Sequence, residues 1–179
     1  TLTEDINNTL SENARQSESS IMEIGMCFDW YGVIIVDSVI KTSHGIISPS
    51  EMVEVLEEES ANKDEYLEGY KKDITPDETD YANFVFEQEK KISSYVNQLI
   101  EWGNKEEVDS IKASIPHMYT MTDPTIEAIN NIMDTKMYYN ERKSEELHER
   151  IHNFRDFMIL AIVLSVVMSI CASFSRRCR

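Results

Sequence analysis

The feature that most constrains this chain is an uncharged apolar run near its C-terminal end, Phe157 to Phe174. As an α-helix the run is roughly 27 Å long at about 1.5 Å per residue, which is near the lower limit for crossing the hydrocarbon core of a bilayer. Three arginines and no acidic residue lie in the tail that follows. The sequence therefore predicts a single C-terminal transmembrane helix over residues 157–174 and a short basic tail over residues 175–179.

Charge is distributed unevenly along the chain. The whole chain has a formal net charge of −16, and residues 1–156 hold 14 basic and 33 acidic residues, a net charge of −19. Nucleic acid is excluded as a natural partner, because binding to phosphates needs clustered Lys and Arg. A basic protein surface is a partner that this charge would attract, with the acidic stretch from Glu57 to Asp80 as its docking site. A solvated surface without a partner is the favoured interpretation of that stretch.

Helix start signals divide the acidic part of the chain into several helices. Ser48-Pro49-Ser50-Glu51 and Thr75-Pro76-Asp77-Glu78 each combine a capping residue, a Pro at the first helical position and a Glu three residues after the cap. Asp123-Pro124 predicts the start of the final helix. We therefore predict an all-α fold, a helical bundle of about five helices whose last helix continues into the transmembrane span.

The most apolar stretch before the final run is Ile21 to Ile40. Its length would suit a second membrane span, but it contains Glu23, Asp29 and Asp37. One acid at a helix centre in lipid costs about 2.5 to 3.5 kcal/mol, so we interpret the stretch as a core helix with one polar strip. The β-branched run inside it leaves a strand as the alternative. Gly45, shortly after it, suits a left-handed helix end.

Heptad-like spacing links the two longest predicted helices. The final helix carries seam positions that alternate three and four residues apart: Ile126, Asn130, Met133, Met137, Asn140, Ser144, Leu147, Ile151, Phe154 and Met158. A helix ending near Trp102 has the same spacing, so we expect the two to pack together. This predicts an acidic helical domain over 1–122 and a stem helix over 123–156 that packs on it, followed by the transmembrane helix.

A stripe of small residues lies four apart within the apolar run. Its members are Ala161, Ser165, Ser169 and Ser173. Small side chains let transmembrane helices approach closely, where packing and hydrogen bonding drive association. The stripe predicts contact with another transmembrane helix, either from a second copy or from another subunit, in addition to membrane lipid.

Three cysteines and one sequon are candidates for covalent modification. Cys171, near the end of the apolar run, and Cys178, in the basic tail, suit palmitoylation if the tail is cytosolic; two unmodified cysteines are the alternative. Cys27 has apolar neighbours, which favours burial, and an intersubunit disulfide is the alternative for an extracytoplasmic domain. Asn7 begins an Asn-Asn-Thr sequon, which is a glycosylation site only if this end faces a secretory lumen.

One motif resembles a zinc-protease signature in its letters. His148-Glu149-Arg150-Ile151-His152 places two imidazoles on one helix face, with Glu149 between them. A third ligand is lacking at suitable spacing, and Arg150 would oppose a dication, so a solvated His pair is the favoured interpretation. The sequence also lacks a Gly-rich phosphate loop, a nucleophile elbow and a C-x-x-C pair. It therefore predicts no enzymatic activity and no cofactor.

Together, these features predict the location of the protein more closely than they predict its partners. We expect a non-enzymatic, single-pass membrane protein that serves as an interaction or accessory subunit of a membrane complex. A viral or gamete-type membrane-fusion component is the alternative, and a membrane-bound zinc hydrolase that uses His148 and His152 is the lesser one. We expect a type I topology, with the domain outside and the tail cytosolic; a tail-anchored topology follows if no signal peptide has been removed.

Overall fold

The structure is a computed structural model that describes the backbone of residues 18–177. Within that range it describes all side chains except those of residues 147, 150, 151, 154, 158 and 161–177. Five α-helices occur in the described range: α1 (Glu18–Ser43), α2 (Pro49–Tyr70), α3 (Thr79–Asn104), α4 (Val108–Ala113) and α5 (Ile115–Arg177). Residues 18–177 contain no β-strand, which confirms the all-α prediction for this part of the chain.

The chain divides into two compact units, one that ends at Met137 and one that begins at Tyr138. The first unit holds a hydrophobic core to which α1, α2, α3 and α4 contribute, together with the beginning of α5. In this unit α2 packs against α3, and α1 packs against both α2 and α4. The second unit consists of the later part of α5. The predicted segments 1–122, 123–156, 157–174 and 175–179 remain predictions.

Helix α1 is the core helix that its sequence predicts. Its inward side chains are fully or almost fully buried: Ile24, Cys27, Trp30, Tyr31, Ile35 and Val39. A π-helical turn over Trp30–Ile34 lies inside it, at the place where the β-branched run begins. The helix ends at Ser43, and Gly45, two residues later, has φ 69°; Gly45 N–H donates to Thr42 O and Ile46 N–H donates to Lys41 O. This pattern confirms the predicted left-handed helix end.

Both predicted Pro-Glu start signals are found at helix starts. At α2, Glu51 N–H donates to Ser48 Oγ at 3.2 Å and Ser48 N–H donates to Glu51 Oε2 at 2.7 Å. At the second signal, Thr75 N–H donates to Glu78 Oε1 at 2.6 Å, and a short 3₁₀ turn (Pro76–Glu78) leads into α3. These bonds satisfy backbone donors that the first turn of a helix would otherwise leave free.

The final helix differs from the prediction in its start and in its register. It begins at Ile115 and contains Pro124, whereas Asp123-Pro124 was expected to start it. An internal Pro removes one backbone hydrogen bond, but Met121 and Thr125 on either side of Pro124 are buried, and this packing holds the helix together. The buried face is also offset from the predicted seam, and consists of Met118, Met121, Thr122, Thr125, Ala128, Ile129, Ile132 and Lys136.

Candidate functional site

A buried polar cluster joins the first three helices. We call it the Lys63 cluster, and it consists of Tyr31 on α1, Lys63 and Asp64 on α2, and Glu89 and Ser93 on α3. Glu89 is its centre: Tyr31 Oη donates to Glu89 Oε2, while Lys63 Nζ and Ser93 Oγ donate to Glu89 Oε1. Lys63 Nζ also lies 2.7 Å from Asp64 Oδ1. Side-chain exposure is 3% for Lys63 and 15% for Glu89, so this ion pair lies almost entirely inside the protein.

Burial and charge pairing raise the pKa values of three groups in and around this cluster. Burial and the neighbouring Glu89 raise the pKa of Tyr31 above its ordinary range. Burial, followed by the charge of Glu89, raises the pKa of Cys27 to about 12. For Lys63, burial opposes the charge, but the bonds to Asp64 and Glu89 outweigh it, so its pKa is raised. The tyrosine and the thiol are therefore neutral at neutral pH, and the lysine is a cation.

A second polar cluster joins α5 to the connection between α2 and α3. We call it the Lys136 cluster, and it consists of Tyr70, Asp73, Glu78 and Lys136. Lys136 Nζ donates to Asp73 O at 2.7 Å, and lies 3.0 Å from Glu78 Oε1 and 3.4 Å from Asp73 Oδ2. The ammonium also lies 5.4 Å from the centre of the Tyr70 ring, within the range of a cation–π contact. Glu78 is fully buried, and its Oε1 also accepts a hydrogen bond from the Thr75 N–H.

The geometry of the two clusters suits a structural role. Each lysine ammonium is held by carboxylate oxygens from other positions and is excluded from solvent. A catalytic lysine needs an accessible, uncharged nitrogen, whereas both of these ammonium groups are buried beside carboxylates. Among the residues whose side chains are described, no group of three or more His, Cys, Asp or Glu side chains is arranged to hold a metal ion. The clusters therefore fix how the helices pack.

Sequence reasoning missed both clusters, although each leaves a signal. Lys63 continues the apolar stripe of α2, which also contains Leu56, Leu67 and Tyr70. Glu89 is placed in the same way on α3, between Val85 and Ile92. A charged residue on an apolar stripe is costly to bury alone, so opposite charges on the stripes of two helices indicate a buried pair.

The histidine pair of the zinc-like motif lies in the second unit. The ring centres of His148 and His152 are 6.1 Å apart, on an open surface that Ser144, Glu145 and Glu149 also line. Arg155 Nη2 lies 3.0 Å from His152 Nδ1, and Asp156 Oδ2 lies 3.9 Å from the same nitrogen. The guanidinium places a positive charge beside one of the two imidazoles, which disfavours a dication there. A metal role for His148 and His152 remains a prediction.

Cys27 lies in the core of the first unit as a free thiol. Its exposed fraction is 0%, and the high pKa of its thiol leaves almost no thiolate at neutral pH. Disulfide formation with another chain requires a thiol that can reach the surface. Burial favours the core interpretation of Cys27, and the intersubunit disulfide that the sequence left open there remains a prediction.

Several predicted sites lie outside the described residues or side chains. Asn7 and Cys178 belong to the parts of the chain outside residues 18–177. The backbone of the small-residue stripe and of Cys171 is helical, but their side chains are outside the description: Ala161, Ser165, Ser169, Ser173 and Cys171. The predictions of glycosylation, lipidation and transmembrane helix packing at these positions remain predictions.

Within the described residues, α1 is long and apolar enough to cross a bilayer, by length and composition alone. Its mean hydropathy is 1.3 over the most apolar window. However, its inward side chains form the core with the other helices, and the buried Tyr31 hydroxyl is bonded to Glu89. We therefore interpret α1 as the central helix of the first unit.

Comparison with protein-family models, with curated proteins and with solved structures found no significant match to this chain. Function is therefore argued from the residues themselves.

Proposed function

We propose that this protein is a non-enzymatic, single-pass membrane protein whose helical domain binds partner proteins as an accessory subunit of a membrane complex. The observation that carries the membrane part of this proposal is the exposure of Phe157, Ile159 and Leu160. Each of these large apolar side chains is more than half exposed. They open the uncharged run that continues to Phe174.

The three side chains lie on one half of the helix, within an arc of about 160°. At about 100° per residue, Ile159 lies about 200° and Leu160 about 300° around the axis from Phe157. A helix of a water-soluble protein carries an apolar stripe on one side, which is buried against its neighbours. Here the apolar side of the helix is exposed instead, and the uncharged run that it opens continues to Phe174, as expected for a helix that enters lipid. This arrangement supports the membrane span over residues 157–174, with membrane lipid as its surroundings and the small-residue stripe available to another span.

The interaction part of the proposal rests on the character of the first unit. Its buried charged groups are already paired within the Lys63 and Lys136 clusters, which suits a rigid scaffold. Its surface is acidic, and α2 exposes a series of carboxylates: Glu51, Glu54, Glu57, Glu58, Asp64, Glu65 and Glu68. Such a surface attracts basic partner proteins and repels nucleic acid and anionic lipid.

Alkaline extraction of membranes tests the anchor. Full-length protein, expressed in cells with a tag, is expected to stay in the membrane pellet. The variant Leu164→Arg/Val167→Arg should move to the supernatant, because two arginines near the centre of the span cost about 5 to 7 kcal/mol of insertion. The matched control Leu164→Ala/Val167→Ala should stay in the pellet. Full-length protein in the supernatant would contradict the proposal.

Protease protection of the same tagged protein determines its orientation. Protection of the domain, together with a glycan at Asn7, would establish type I topology. Digestion of an unglycosylated domain would establish the tail-anchored arrangement and place its partners in the cytosol.

A further inference from the structure

Helix α1 carries an exposed face that the core does not explain. We call it the α1 outer face, and it consists of Met22, Met26, Asp29, Val33 and Asp37, which recur every three or four residues. The exposed fraction is 60% for Met22, 39% for Met26 and 50% for Val33. Both aspartates are exposed as well. The sequence predicted a polar strip here, and the structure instead shows apolar side chains alternating with acids.

The chemistry of this face suits a helical partner. Methionine side chains are flexible and polarisable, so they adapt to differently shaped apolar surfaces and are frequent at binding sites for amphipathic helices. The face follows one side of α1 through several turns, from Met22 to Asp37. A helix laid along it would cover the three apolar side chains with an apolar stripe of its own.

The charges of α1 determine which kind of helix fits. The helix contains four acids and one base, Lys41, which lies 2.6 Å from Asp37. Asp29 lies between Met26 and Val33, and among the described contacts it forms no ion pair. Lys or Arg beside the apolar stripe of a partner would meet Asp29. Anionic lipid and a second copy of this acidic chain would both be repelled at the same place.

We propose that the α1 outer face binds a basic amphipathic helix of a partner protein. This inference rests on the proposed function and specifies the partner of the domain. It concerns the first unit only, so its failure would leave the membrane anchor standing. If the extraction experiment shows that the protein has no membrane anchor, binding of a peptide to the α1 outer face can still be measured.

The test uses the full chain, labelled with ¹³C at the methionine methyl groups, in nanodiscs of zwitterionic phosphatidylcholine. The probe is a helical peptide of Leu and Lys, about five turns long, with all Leu on one face. A peptide of the same composition in scrambled order and a Leu/Glu peptide with the same apolar face serve as comparisons. We expect the Leu/Lys amphipathic peptide to shift the methyl signals of Met22 and Met26, with much weaker effects from the other two.

Two pairs of variants separate the apolar and charged contributions while keeping both methionine reporters. Val33→Thr should weaken peptide binding about two- to fourfold through lost apolar contact, whereas Val55→Thr, at an exposed position of α2, should leave it unchanged. Asp29→Asn should weaken binding about two- to fivefold, the range of an exposed ion pair, whereas Asp80→Asn on α3 should not. Helical content by circular dichroism should be the same for all four variants.

Four results would each overturn this proposal. The first is an absence of any shift at Met22 and Met26. The second is an equal response to the scrambled or the Leu/Glu peptide, or equal effects of the face variants and their controls. The third is broadening of these methyl signals by spin-labelled lipid without peptide, which would make lipid the occupant. The fourth is a dependence of the shifts on protein concentration alone, which would indicate a second copy.

Discussion

Replacement of Lys63 by methionine tests whether the Lys63 cluster stabilises the first unit. Met occupies a volume close to that of the lysine stem, so packing is largely kept while the ammonium is lost. Glu89 would then keep only the hydroxyls of Tyr31 and Ser93 as donors, in a site where its side chain is 15% exposed. Removing one partner of a buried ion pair costs about 3 to 5 kcal/mol. Because Glu89 retains two hydrogen bonds and some solvent, we expect a loss near the lower limit, about 3 kcal/mol.

The assay is urea unfolding of the full chain in mild detergent, followed by tryptophan fluorescence. Trp30 lies one residue from Tyr31 and is buried, so its emission reports on this region. Lys71→Met is the control, because the ion pair of Lys71 with Glu68 is exposed on both sides. Pairs of that kind contribute at most about 1 kcal/mol. A loss of less than about 1 kcal/mol for Lys63→Met, or equal losses for both variants, would refute the reasoning.

A triple variant provides the complementary measurement. Lys63→Met combined with Glu89→Leu and Tyr31→Phe removes the cation, the carboxylate and the hydroxyl that would otherwise be left unpaired. Replacing a whole buried polar group by apolar side chains of similar size is often neutral or stabilising. We therefore expect the triple variant to be more stable than Lys63→Met alone. If the triple variant is less stable than Lys63→Met, the whole cluster contributes more to the free energy of unfolding than the loss of the Lys63–Glu89 pair alone.

Three further predictions follow from the buried groups and the helix caps. Cys27 should resist thiol reagents in the folded protein and react on unfolding, as followed by mass spectrometry of its peptide; rapid labelling without denaturant would contradict its burial. Burial raises the pKa of Tyr31 and Tyr70, so these two hydroxyls ionise more readily in the unfolded state than in the folded state. Their contribution to stability should be constant near neutral pH and fall above about pH 10, and the tyrosinate absorbance of these two residues should appear only as the protein unfolds. Ser48→Ala should cost about 1 kcal/mol in urea unfolding through loss of the α2 cap, and equal losses for the exposed Ser94→Ala would argue against this.

The final helix shows where local signals and tertiary packing disagree. Asp123 followed by Pro124 has the local pattern of a helix start. The sequence alone does not show whether buried contacts on either side of Pro124 stabilise a helix that continues through it. The structure carries the helix through Pro124 because Met121 and Thr125 are buried on either side. Thr125 reaches this position by donating its hydroxyl to Met121 O, at 2.8 Å, which satisfies the polar atom within the helix itself.

The sequence by itself determined the features that depend on neighbours along the chain. These are the helical class, the two Pro-Glu start signals, the glycine that ends α1 and the central position of α1 in the core. Each rests on a spacing of a few residues, where the physics of capping and amphipathicity acts locally.

The tertiary structure alone decided which charges lie inside. Lys63 is separated from Glu89 by 26 positions and Lys136 from Asp73 by 63, so no local pattern pairs them. Lys136 is the one charged residue on the described buried face of α5, and Asp73 and Glu78 meet its ammonium there. Burying a charged side chain in an apolar interior is costly unless an opposite charge is buried beside it. Whether the two charges meet depends on how whole helices pack.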